Sequence, residues 1–223
     1  MGRAQGQVCR LPRNPRHTDS ICAAARGAVY FHNALLTSLP RHSAMRLFIG
    51  IPLSDGVAGE ISRLIAILQP YAPDLRFAGP DSWHITLQFL GNSTPEQLDS
   101  LKSRLNQVRS APVPIALGKF GLFDRAGIFF ADVTLTTALM ELQEQIVIAT
   151  ISCGFAAESR AFHPHVTLAR EKGRGGTLRK LRAHLKFDLQ FSRLVAQEFL
   201  LYESHLGSAG SCYKVLGRFP LSI

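Results

Sequence analysis

At 223 residues, 46% of them hydrophobic, the chain is long enough to close one sizeable core, and that balance excludes an intrinsically disordered protein. No run of about 18 apolar residues occurs, so no transmembrane helix is expected; Cys9, Cys22, Cys153 and Cys212 have neither zinc-ribbon spacing nor the density of a disulfide scaffold, which fits a reducing cytoplasm. The net charge of +9 points to an anionic partner, but residues 1–44 hold six arginines against a single acid, Asp19, and the rest is only mildly basic, a balance suited to short or terminal RNA rather than to coating long nucleic acid.

In chain order, residues 1–44 carry no hydrophobic period and are expected to form a disordered N-terminal extension, from an over-long start with Met45 as the true initiator or, less favoured, from an Arg-rich leader. The folded domain is expected over 45–223, opening with an apolar strand over 46–52. Over 55–69, Val57, Ile61, Leu64, Ile65 and Leu68 fall on one helical face, closed by Pro70. A strand follows over 83–90. Thr94-Pro95-Glu96-Gln97 supplies an N-cap, a proline at the first helical position and a capping-box glutamine, so a helix is predicted from there to about Arg109. Strands near 113–119 and 128–135, a helix over 137–152 and a strand containing 166–169 come next. A short basic helix over 177–186 then precedes strands near 187–191, 194–203 and 213–219.

Two segments repeat one pattern. In the first, His84, Thr86 and Gln88 alternate with Ile85, Leu87 and Phe89, which in a strand turns the polar set to one face and the apolar set to the core. In the second, His165 and Thr167 alternate with Val166 and Leu168. A strand bearing His-x-Thr followed by a helix in each half suggests a tandem arrangement. Without strict βαβ alternation the fold class is α+β: two pseudo-symmetric lobes of mainly antiparallel sheet, helices outside, and the active-site cleft between them. Two imidazoles and two hydroxyls facing each other suit in-line displacement at a cyclic phosphodiester. One imidazole takes a proton from water, the other protonates the departing ribose oxygen, and the hydroxyls hold the non-bridging oxygens.

His84-Ile85-Thr86-Leu87 and His165-Val166-Thr167-Leu168-Ala169-Arg170 resemble the paired signatures of the two-histidine phosphoesterases, and within that superfamily the LigT-like RNA 2′,3′-cyclic phosphodiesterases, also called 2′-5′ RNA ligases. The resemblance runs over 45–223. It implies hydrolysis of 2′,3′-cyclic phosphate ends to a 2′-phosphate, with His84 as proton donor, His165 as proton acceptor, and no metal or cofactor. RNA ends or small cyclic nucleotides are the implied partners of a monomer. The residues themselves leave the acid and base assignment symmetric.

Thr86 and Thr167 are the expected phosphate ligands, with Arg170 as a guanidinium clamp. Strict alternation from His165 turns Arg170 to the wrong face, so it reaches the cleft only if the strand ends or bends near Ala169. Phe48 and Trp83 are candidates to stack on a base, against the alternative that both are core aromatics. His163 and His165 share a strand face, but no supporting ligand follows at metal-site spacing. Residues 172–182 offer a basic flap as readily as a solvated helix. Two other functions fit the same residues: ligation by the reverse chemistry, and a non-catalytic nucleotide-binding module.

Overall fold

A computed structural model describes residues 45–172, 178, 191–207 and 210–222. The extension over 1–44, the basic helix over 177–186, the strand near 187–191 and the flap over 172–182 fall outside these residues, apart from Lys172, Leu178 and Phe191.

Among the described residues, ten strands and three helices make an α+β fold of mostly antiparallel sheet: β1 (Met45–Pro52), α1 (Asp55–Leu68), β2 (Leu75–Phe77), β3 (His84–Ser93), α2 (Pro95–Leu105), β4 (Val113–Ile115), β5 (Leu117–Phe123), β6 (Ile128–Val133), α3 (Thr137–Ile151), β7 (His165–Glu171), β8 (Leu194–Ala196), β9 (Glu198–Gly207) and β10 (Gly210–Pro220). Eight strands share one sheet in the order β10-β9-β1-β3-β7-β6-β5, with β2 pairing β7 off this path, while β4 and β8 form a separate ribbon. The two lobes are therefore halves of one sheet, joined between β3 and β7 at a single bridge, Ile85 opposite Val166.

The helices follow from their sequences. In α1 the expected face of Val57, Ile61, Leu64, Ile65 and Leu68 is buried, and Ser54 caps the N-terminus by accepting from the Val57 amide. In α2 the reciprocal Thr94–Gln97 capping box is formed, and the helix ends at Leu105, four residues short of the expected boundary. Ile85, Leu87, Val166 and Leu168 enter the same core as Leu101 and Leu105 of α2 and Leu139, Leu142 and Ile146 of α3. The helices thus cover one sheet face and leave the other to the histidines. The expected strand over 113–119 divides into β4 and the start of β5, and the short β2 is an additional strand.

The strand alternation departs from expectation at one point in each motif. Along the β1–β3 pair, Ile49 faces Gln88 and Gly50 faces Thr86, so Leu87 is an extra residue. Along β6–β7, Phe129 faces Ala169 and Phe130 faces Thr167, so Leu168 is extra. A bulge lets two consecutive residues share a face and inverts the phase beyond it. Gln88, expected on the cleft side, is consequently buried, at 3% exposure, and Phe89, expected in the core, is 60% exposed. Buried Gln88 Oε1 accepts from Thr150 Oγ1 on α3 at 2.8 Å. Thr150→Val, nearly isosteric, strips that carbonyl of its donor and should cost about 1–3 kcal/mol in urea unfolding; a neutral result would place Gln88 in solvent and contradict the bulge.

Candidate active site

The Ile85–Val166 bridge sits at the centre of both motifs. Its antiparallel sense sets His84 beside Thr167 and Thr86 beside His165 on the face away from the helices, with all four side chains partly exposed. The expected constellation of two imidazoles and two hydroxyls is thus brought together.

Each imidazole is aimed by the backbone two residues before it. His84 Nδ1 donates to the Ser82 carbonyl at 2.9 Å, and His165 Nδ1 donates to the His163 carbonyl at 2.8 Å. A carbonyl only accepts, so Nδ1 carries the hydrogen, and in the neutral ring Nε2 is left with a lone pair.

Their surroundings differ. His84 lies in an aromatic enclosure built by three strands: Phe48 of β1 at 4.7 Å between ring centroids, Tyr202 of β9 at 5.7 Å and Tyr213 of β10 at 5.1 Å. Gly50 lies against this ring, since a Cβ there would approach the Ile85 carbonyl oxygen at 2.8 Å and His84 Cδ2 at 3.2 Å. Burial pushes the His84 imidazole down to about 4; the Ser82 carbonyl opposes this, and the charges of His165 and Arg170 reinforce it. His165 is held below the ordinary value of 6.5, again chiefly by burial, with His163 and Arg170 adding to the effect and the His163 carbonyl and Asp132 opposing it. It lies against Phe123 and Phe130, 5.1 and 5.3 Å away. Tyr202 remains a neutral phenol, pushed up to about 12 by burial.

Arg170 acts on both histidines because the Leu168 bulge restores it to their face. That resolves the parity objection: the strand bends at the residue before Ala169. Phe89 emerges at the corresponding point of β3, fifth after its histidine as Arg170 is after His165. The expected base-stacking pair does not fit. Trp83 is 5% exposed in the main core and Phe48 is 2% exposed beneath His84, so neither presents an open ring face. His163 projects to Asp132, with Nε2 donating to Oδ1 at 2.9 Å, and among the described residues no three His, Cys, Asp or Glu side chains converge as a metal site. Tyr202, Tyr213 and Gly50 join the site without having been expected there. The tyrosines lie on remote strands with no motif of their own, whereas a glycine inside an apolar strand is a signal of close approach.

The family model described as LigT like Phosphoesterase matches residues 51–130. A Bacillus subtilis protein named RNA 2′,3′-cyclic phosphodiesterase is 31% identical over 182 residues, covering 78% of this chain and 96% of the relative. A Thermotoga maritima protein of the same name is 29% identical over 177 residues, covering 77% of this chain and 93% of its own. The crystal structure of Escherichia coli LigT complexed with 3′-AMP shares the fold, with a TM-score of 0.68 at 23% identity over 81% of this chain and all of that one.

The enclosure of His84 has a measurable cost in acid. Its proton is bound more tightly in the unfolded chain, so the stability it supports is complete above pH 6.5 and is lost as pH falls toward 4, by about 3 kcal/mol. Urea unfolding of His84→Phe should have a correspondingly flatter pH dependence over that window. An unchanged slope would mean that the ring is open to water.

Proposed function

Because this chain belongs to the LigT-like phosphoesterases, we propose that it hydrolyses RNA 2′,3′-cyclic phosphate ends to a 2′-phosphate by proton transfer between two histidines, without a metal. The observation that carries this reading is the matched pair of imidazoles, each held through Nδ1 by a backbone carbonyl and flanked by a threonine hydroxyl. A site that only bound a nucleotide would have no use for two proton-transfer groups tethered in the same way.

The step balances within these residues. His165 Nε2 takes a proton from water as the water oxygen bonds to phosphorus. The bond from phosphorus to the ribose O3′ breaks, and His84 in its imidazolium form delivers the Nε2 proton to that oxygen. The histidines exchange protonation states and solvent restores them. His165 is the less enclosed of the two, as a base that must meet water requires, and the aromatic pocket of His84 suits the leaving oxygen. Thr86, Thr167 and Arg170 donate to the non-bridging oxygens, where negative charge persists through the transition state.

His84 at about 4 is neutral in the resting enzyme at pH 7. An anionic phosphate between the rings opposes the burial that lowers both imidazoles, so substrate binding helps to load the acid. RNA ends or small cyclic nucleotides are the substrates on this reading.

Incubating the protein with an oligonucleotide ending in a 2′,3′-cyclic phosphate should yield a 2′-phosphate, with chelators leaving the rate unaltered. His84→Ala and His165→Ala should each lower kcat by about 10²–10⁴-fold; full activity in either variant, or a 3′-phosphate product, would overturn the assignment. The pH profile of kcat/KM, which reports the free enzyme, should be a bell lying on the acid side, and that of kcat should be displaced to higher pH by the bound phosphate. Superimposable profiles would rule out the loading of His84 by substrate.

A further inference from the structure

The short strand β2 places a second arginine on the cleft floor. Arg76 faces Arg170 directly across the antiparallel β2–β7 pair, and Ile128 of β6 faces Arg170 from the other side. Residues directly opposite in such a pair point to the same sheet face, with Cα atoms about 4.5–5.5 Å apart. The Leu168 bulge returns Arg170 to the face of the histidines, and Arg76, directly opposite it, is there too. Both arginines are exposed, and among the described residues neither forms an ion pair with an acid. Like charges directly opposite across strands are destabilising, so the pair opposes folding unless an anion sits over it.

The arginine row is offset from the row that holds the reacting phosphate. On β6, Phe130 lies opposite Thr167 and Ile128 opposite Arg170, two residues apart, which sets the arginine row about 7 Å along the strands from the Thr167 row. Arg170 shares strand β7 with His165 and Thr167. Arg76, on the edge of β7 that also meets β3, is in the position of a neighbouring phosphate. The nucleotide chain of an RNA end carries such a group: the internucleotide phosphodiester that precedes the cyclic terminus.

We propose that Arg76, beside Arg170, forms a second phosphate seat that holds this internucleotide phosphodiester, making the preferred substrate an oligonucleotide end rather than a cyclic mononucleotide. The inference rests on the cyclic phosphodiesterase reading and adds the substrate class. A guanidinium at this seat contributes a charge-assisted contact that a mononucleotide lacks. Selectivity between the two substrates then depends on Arg76 more than on the catalytic pair.

The test compares the full-length wild type and Arg76→Ala on adenosine 2′,3′-cyclic monophosphate and on the dinucleotide ApA ending in a 2′,3′-cyclic phosphate. The wild type should prefer the dinucleotide, and the ratio of the two kcat/KM values should fall roughly ten- to a hundred-fold in the variant. In parallel, binding of ApA bearing a terminal 2′-phosphate is measured from low to moderate salt. The slope of log affinity against log salt should lessen by about 0.7 in Arg76→Ala and be largely kept in Arg76→Lys. An unaltered ratio, or an equal fall on both substrates, would overturn the proposal, because Arg76 would then serve nothing, the reacting phosphate or the fold. The salt slope needs no turnover, so it decides the proposal even where the wild type hydrolyses neither substrate, a result that would instead remove the phosphodiesterase reading.

Discussion

The architecture depends on one bridge and two bulges. β3 and β7 pair at one point, Ile85 opposite Val166, and beyond it β3 pairs with β1 while β7 pairs with β6 and β2. Because the bridge falls on the central residue of both motifs, each histidine comes beside the other motif's threonine. A bulge at the fourth motif residue, Leu87 in one strand and Leu168 in the other, then turns the chain once more. Strict alternation beyond the threonine would have sent Arg170 into the core and Phe89 with it. The extra leucine instead buries two residues in succession and returns the next one to the cleft.

Within this near-symmetric frame the two imidazoles are oriented alike and tuned differently. Each hangs from a carbonyl two residues upstream, which fixes the tautomer and the direction of Nε2. The first is walled by Phe48, Tyr202 and Tyr213, contributions of three separate strands. The second has phenylalanines on one side and the His163–Asp132 pair nearby. Exclusion of water is stronger around His84, and its proton affinity falls accordingly. This divergence of environment, rather than any difference between the motifs, distinguishes the two rings.

Much of this was legible in the residues. The buried face of α1, the capping box of α2 and the common face of His84 and Thr86 follow from local periodicity and local hydrogen bonding, which a sequence encodes over a few positions. The bulges were not legible, because Leu87-Gln88 and Leu168-Ala169 read equally well as continued alternation, and only the pairing register with β1 and β6 exposes the extra residue. The misplacement of Gln88 and Phe89 and the objection to Arg170 share that single origin. Phe48, near the start of the first strand, and Trp83, beside His84 in sequence, are both buried, as large aromatics more often are. The tyrosine enclosure and Arg76 depend on long-range pairing, and nothing local announces them.

The central claim is that two neutral imidazoles present bare Nε2 atoms to one cleft and that a phosphate between them raises their affinity for protons. Nitrogen-15 NMR of the histidine rings, recorded against pH with and without a nucleoside 2′-phosphate, measures this directly. The account predicts that His84 and His165 are both Nδ1-protonated at pH 7, with His84 titrating near 4 in the free protein and both rings titrating at higher pH in the complex. Nε2-protonated tautomers, or titrations that the phosphate leaves in place, would contradict it.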